Sequence, residues 1–360
     1  MTGNNNFEKN VHLQKIVTML LNRIICSILF IALVQHNCLF AQSSSLTLVH
    51  AVSNSNLIQP PYLQKGDTVA IVSPAGILKN KEDKIQQAKA LIKSWGLNVI
   101  VSKNVFNQNY QFAGTDEERA SDFQKALDNP NVKAIWCSRG GYGSVRILDR
   151  LDYTKFKDHP KWIIGYSDIT AIHNQLHNYG YESVHGIMGI SLTDDIEEVK
   201  ESAASLKDAI FGQQLRYTIE GSIANKPGNA SGQLVGGNLT LLHTMLGSTT
   251  SIDTSGKILF FEEIGEYAYH IDRMLQSLKR AGYFENCKGI IVGSISKVRK
   301  NTTEWGKPME QLILDVVQEY DFPVLFNFPA GHEDDNRALI LGRTIELKVG
   351  IKEATVVFEN

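Results

Sequence analysis

Three short apolar runs, Thr68-Val-Ala-Ile-Val-Ser73, Asn98-Val-Ile-Val-Ser102 and Val132–Cys137, alternate with segments of helical period over residues 81–95 and 119–127. This rhythm constrains the fold more than any other feature of the chain. Strands separated by helix-length crossovers pair in parallel, and the crossovers cover the faces of the sheet. Gly96 stops the first helix and Asn129-Pro130 the second, each a residue type that cannot easily continue a helix.

The next apolar run lies in Lys161-Trp-Ile-Ile-Gly-Tyr-Ser-Asp-Ile-Thr170 and passes through Gly165 and a polar turn into a helix over 169–178. The turn lifts Ser167 to the carboxyl edge of the sheet, where ligands of open α/β folds sit. A serine there suits a nucleophile whose own N–H lies near the positive end of a helix. It equally suits a helix N-cap, and the second glycine of a Gly-x-Ser-x-Gly elbow is missing. On these residues alone both readings stand.

The third strand leads directly into Ser138-Arg-Gly-Gly-Tyr-Gly-Ser144. A dinucleotide fingerprint fails here because Arg146 occupies its last glycine position, and no Walker-type Gly-Lys-Ser/Thr sequence exists. Gly140 and Gly141 instead let backbone N–H groups approach a ligand oxygen, as in an anion-binding nest, or make a plain tight turn. A helix over 145–151 is expected next. Within 169–178, His173 and His177 stand one turn apart, but Asn174 replaces the glutamate of a His-Glu-x-x-His zinc protease, so surface or partly buried histidines are the expected reading.

Lys and Arg number 36 against 38 Asp and Glu, a balance that excludes the usual basic nucleic-acid surface. Ile24–Val34 is a continuous apolar run preceded by Lys15 and Arg23, too short to span a bilayer comfortably and of signal-peptide length. Cleavage is expected after Ala41, giving an exported, periplasmic chain with no stable membrane association; an uncleaved N-terminal anchor is the competing reading. Met19 would make a more conventional start for such a signal. Cys26 and Cys38 leave with it; Cys137 and Cys287, in apolar surroundings, are expected as buried thiols.

The expected organisation is a signal peptide over 1–41, a tether over 42–59, an α/β domain over 60–215, a linker over 216–230 and a mixed, β-rich domain over 231–360. In the last, a helix over 239–246, a strand over 257–261 ending at Glu262-Glu263, a helix over 268–281, strands over 289–294 and 324–328, and an alternating tail follow in order. Three polar groups thus stand at strand ends: Ser167, Glu262 and His332. A serine hydroxyl needs a base, and a histidine base works best with a carboxylate fixing its tautomer. Spacing alone does not show that the three converge; a surface acid and a loop histidine fit the same positions.

Trp136-Cys-Ser-Arg-Gly-Gly-Tyr-Gly143, Gly165-Tyr-Ser-Asp168, Leu234-Val-Gly-Gly-Asn-Leu239, Phe260-Phe-Glu-Glu263 with Arg273 downstream, and Gly331-His-Glu333 occur in the order and approximate spacing of the LD-carboxypeptidase family of serine peptidases, which the chain resembles over residues 60–355. The resemblance implies a flavodoxin-like parallel-sheet N-terminal domain carrying the nucleophile and a β-rich C-terminal domain carrying acid and base. It implies Ser167 as nucleophile, Glu262 as acid and His332 as base, with Glu263 a neighbour. The N–H of Asp168 and one from Gly140–Gly141 correspond to the oxyanion hole. Arg139 is the candidate for the substrate's free carboxylate, and Arg273 is assigned to packing or to support of the acid.

The implied reaction removes the terminal D-alanine from a murein tetrapeptide without metal or cofactor, in a homodimer. Whether diaminopimelate or lysine precedes that alanine stays open. A microcin C self-immunity type peptidase, which resembles the same family, and a non-catalytic murein-peptide-binding module are the alternatives. Family members usually lack a signal peptide, so the export segment departs from the pattern.

Overall fold

The computed structural model of the chain describes residues 57–193 and 195–360. The export segment expected over 1–41, and the tether up to residue 56, lie outside the described residues. Contacts with the α/β body are already made before Pro60: the Ile58 N–H donates to the Gly180 carbonyl at 2.8 Å, and Gln59 accepts from Arg343.

The first sheet has six strands. β1 (Thr68–Val72), β2 (Asn98–Val101), β3 (Val132–Cys137), β4 (Trp162–Gly165) and β5 (Ser183–His185) pair in parallel in the order 2-1-3-4-5. The first runs called for a parallel sheet, and this order is the flavodoxin-like one that the family resemblance implies. Covered on both faces, β1, β3 and β4 are almost wholly apolar and buried. The crossovers are α1 (Glu82–Ser94), α2 (Asp116–Asp128) and α3 (Thr170–Asn178). Helix α2 starts three residues before the expected Arg119, because Thr115 and Glu118 form a capping box at that end. At its other end the buried Lys161 ammonium donates to the carbonyls of Ala126, Leu127 and Asn129. The helix expected over 145–151 is instead two 3₁₀ turns, Ser144–Arg146 and Leu148–Arg150, joined at Ile147.

Helix α4 (Lys200–Phe211) then leads to the second sheet. The linker expected over 216–230 is not one: β6 (Arg216–Glu220) is the edge strand of this sheet, and β7 (Gly228–Asn238) starts inside the same span. β6 alternates exposed and buried residues over only five positions, and β7 opens with Gly, Asn, Ala, Ser and Gly, a composition that reads as loop. Residues 228–233 of β7 pair antiparallel with β12 (Thr344–Val349), whereas 234–238 pair in parallel with β8 (Ile258–Ile264). Strands β9 (Gly289–Ser296) and β10 (Val324–Leu325) extend the parallel half, and β13 (Glu353–Phe358) joins β12 to β6.

Helices α5 (Leu239–Thr244), α6 (Ala268–Arg280) and α7 (Met309–Val317) accompany this seven-stranded sheet. Of these α7 carries no residue that the sequence reading singled out. One C-terminal strand, β11 (Leu339–Leu341), leaves it and pairs antiparallel with β5, closing the edge of the first sheet. Cys137 and Cys287 are buried free thiols.

Candidate active site

β4 ends at Gly165, where a Cβ would stand 2.8 Å from Ile169 Cγ1, so the chain can fold tightly back on itself. Two residues on, Ser167 adopts φ +62°, a conformation L side chains rarely occupy, at the head of a 3₁₀ turn running into α3. The Ser167 hydroxyl bonds to His332 rather than to a helix N–H, and the caps of the 3₁₀ turn and of α3 fall at Tyr166 and Ile169. Ser167 therefore makes no cap hydrogen bond, and the N-cap reading falls. Across the turn, the Asn238 N–H donates to Thr170 Oγ1 at 2.9 Å, tying the end of β7 to the start of α3. Gly237 makes that approach possible; a Cβ there would meet the same hydroxyl at 2.4 Å.

Glu262 lies in β8 at a register shift against β9 between Phe261 and Glu263. Such an irregularity re-aims side chains. The two adjacent acids, both buried, part company: Glu262 turns toward His332, while Glu263 accepts from the N–H and hydroxyl of Thr240 at 2.8 and 2.7 Å and holds the first turn of α5. Burial pushes the Glu263 carboxyl up.

His332 follows Gly331, whose φ is +128° and whose Cβ would stand 2.4 Å from Ser294 Oγ and 2.9 Å from Glu262 Cβ. The His332 N–H donates to Ser294 Oγ at 3.0 Å, and the Gly331 N–H donates to Asn336 Oδ1 at 2.9 Å. Held in this way, His332 Nδ1 is 2.7 Å from Glu262 Oε2 and Nε2 is 3.0 Å from Ser167 Oγ. A carboxylate only accepts, so Nδ1 carries the proton and Nε2 is left to take one from the serine. Three residues from two sheets thus form one hydrogen-bonded line. The Tyr166 ring packs edge-on against the imidazole at 5.0 Å between centroids.

The glycine turn stands over this line. A methyl on Gly140 would lie 2.9 Å from Ser167 Cβ, 3.1 Å from its Oγ and 3.3 Å from the Asp168 nitrogen. Gly141 has φ +98°, and among the described residues its N–H donates to no protein group. Arg139 is half-buried beside the turn; it donates to the Ile77 carbonyl and makes no ion pair among the described residues. Arg273 is exposed, with its guanidinium over the Tyr269 ring at 5.5 Å. Both nitrogens of His173 are engaged, by Ser183 Oγ at 2.8 Å and the Gly165 carbonyl at 2.9 Å, which makes it a structural histidine under the nucleophile strand.

Two residues of the surroundings carry no sequence signal. His185, fully buried at the end of β5, packs its ring against Tyr166 and Phe260 and is held neutral by burial, far below the usual imidazole range. Arg119 reads in the sequence as one more charge at a helix start, yet its side chain is wholly buried and reaches the glycine turn. A hydrophobic neighbourhood would have flagged either, but only the tertiary fold supplies it.

Residues 69–186 match the profile described as LD-carboxypeptidase N-terminal domain, and residues 231–347 the corresponding C-terminal domain. The chain is 36% identical over 302 residues to the Probable murein peptide carboxypeptidase of Bacillus subtilis, covering 83% of this chain and 94% of that protein. It is 27% identical over 289 residues to the Murein tetrapeptide carboxypeptidase of Pseudomonas aeruginosa, covering 78% and 92% respectively. Among solved structures, muramoyltetrapeptide carboxypeptidase from Oxalobacter formigenes superposes with a TM-score of 0.74 at 27% identity, over 81% of this chain and 99% of that one. MccF in complex with glutamyl sulfamoyl guanosine gives 0.75 at 22% identity, over 85% and 99%, a likeness of fold alone.

Proposed function

From the premise that this chain belongs to the LD-carboxypeptidase family and is a carboxypeptidase of the serine type, we propose that it removes the terminal D-alanine of murein tetrapeptides through Ser167, His332 and Glu262. The observation that carries this reading is the continuous line from Ser167 Oγ through His332 to Glu262, with bonds of 3.0 and 2.7 Å. His332 Nε2 takes the Ser167 proton as Oγ attacks the carbonyl before the D-alanine; Glu262, wholly buried, steadies the imidazolium that results. The tetrahedral oxyanion is held by the N–H of Asp168 and one of Gly140–Gly141. His332 then gives its proton to the leaving amine, and a water activated by the same imidazole releases the acyl group from Ser167. Arg139, free of any acidic partner among the described residues, receives the substrate's terminal carboxylate.

Mass spectrometry of a defined tetrapeptide, its pentapeptide and an aminoacyl sulfamoyl nucleotide, each incubated with the enzyme, tests the substrate class. Loss of one alanine from the tetrapeptide alone supports the proposal; cleavage of the nucleotide conjugate in its place moves the activity to the self-immunity type. Export rests on the apolar run Ile24–Val34, and a mature chain beginning at Gln42 is its expected outcome by intact-mass measurement.

A further inference from the structure

The glycine turn carries the proposed oxyanion donors, but a turn rich in glycine is loose unless something fixes both of its ends. One end is fixed by the backbone: the Gly76 N–H donates to the Gly140 carbonyl at 2.9 Å. The other end is fixed by two buried charged side chains. The Asp168 carboxylate accepts from the Ser144 N–H at 2.7 Å through Oδ2. The Arg119 guanidinium donates to the Gly143 carbonyl at 2.9 Å and also to the Pro74 carbonyl in the loop after β1. Arg119 is itself paired with Asp116.

The fit leaves no slack. Gly143 has φ +143°, and a Cβ on it would stand 2.8 Å from Arg119 Nη1. Asp168 is 1% exposed, and among the described residues no hydrogen bond reaches its other oxygen, Oδ1. Burying an acid in this way is costly unless its position is used. Asp168 is also the residue after the nucleophile, so its main chain and its side chain serve one gap: the N–H is the first proposed oxyanion donor, and the carboxylate grips the turn that supplies the second.

Building on the oxyanion assignment above, we propose that the Asp168 carboxylate and Arg119 are positioning residues that set the spacing between the glycine turn and Ser167, and thereby the strength of transition-state binding rather than of substrate binding. Preorganised donors act chiefly on the tetrahedral state, where a displacement near 1 Å costs about 10²-fold. Asp168→Ala is expected to lower kcat for D-alanine release by about 10–100-fold with KM within about threefold.

The test pairs this measurement with the inhibition constant of a peptide boronate, which forms a tetrahedral adduct on the serine. In Asp168→Ala that constant should rise by the factor by which kcat/KM falls. Asp168→Asn, whose amide oxygen still accepts from the Ser144 N–H, should recover most of both losses. Arg119→Met, which keeps much of the stem but donates to neither the Gly143 nor the Pro74 carbonyl, should show the same coupled losses and serves if Asp168→Ala does not fold. Folded Asp168→Ala with unaltered boronate affinity, or Asp168→Asn as impaired as Asp168→Ala, would overturn the inference. A wild-type enzyme that the boronate does not inhibit would point instead to failure of the serine mechanism itself.

Discussion

Replacing Gly140 by alanine separates chemistry from folding. No positive φ constrains Gly140, so alanine can adopt its backbone conformation and the perturbation is steric. The new methyl would lie 2.9 Å from Ser167 Cβ and 3.1 Å from Oγ, against a comfortable carbon–carbon separation of about 3.5–4.0 Å. Relief requires Ser167 or the turn to retreat by at least about 0.6 Å. Because Ser167 is already strained and its Oγ sits 3.0 Å from His332 Nε2, the retreat stretches the one bond through which the proton leaves. A displacement of this size costs about 10–100-fold in rate, or roughly 1.4–2.7 kcal/mol of barrier. Overpacking adds about 1–3 kcal/mol of lost stability. Gly186→Ala is the matched control, since a methyl there meets nothing nearer than 3.6 Å and no positive φ forbids it. Steady-state D-alanine release and urea unfolding of both variants give the two quantities. Gly140→Ala with kcat/KM within threefold of wild type would refute the placement of the turn over the nucleophile.

Further outcomes follow from the same geometry. Glu262→Gln keeps the shape of the acid but can donate to His332 Nδ1 and favour the wrong tautomer, so kcat for D-alanine release should fall by about 10³–10⁴-fold with little change in KM; an equal rise in KM with intact kcat would contradict the role. Burial lowers His173 to about 4 from its ordinary 6.5, so between those values the unfolded chain binds the proton that the folded chain refuses. The stability His173 confers is full above pH 6.5 and is lost as the pH falls toward 4, by roughly 2 kcal/mol between pH 7 and 5. His173→Gln removes this contribution, and urea titrations at the two pH values should show a shallower pH dependence in the variant; parallel curves would contradict it.

What could be read from the sequence follows from how local each signal is. β1, β3 and β4 announce themselves because a strand covered on both faces must be apolar throughout. Ser167 was conspicuous because Gly165 and the polar turn mark a sharp strand end, although only the motifs shared with a family separated nucleophile from N-cap. Glu262 and Glu263 show the limit: adjacent, chemically alike and both buried, they are distinguished by an irregular register with β9 that depends on residues about thirty positions away. β6 and the first three residues of β7 read as a linker because an edge strand and a glycine-rich strand gain their stability from β13 and β12, near the other end of the chain.

The most direct measurement of the central claim is the rate of D-alanine release from a defined murein tetrapeptide by residues 42–360, in the presence of a chelator, for the wild type and for Ser167→Ala. The account predicts release that the chelator leaves unchanged and that Ser167→Ala abolishes in a folded protein. Release that persists in Ser167→Ala, or that disappears with the chelator, would contradict it.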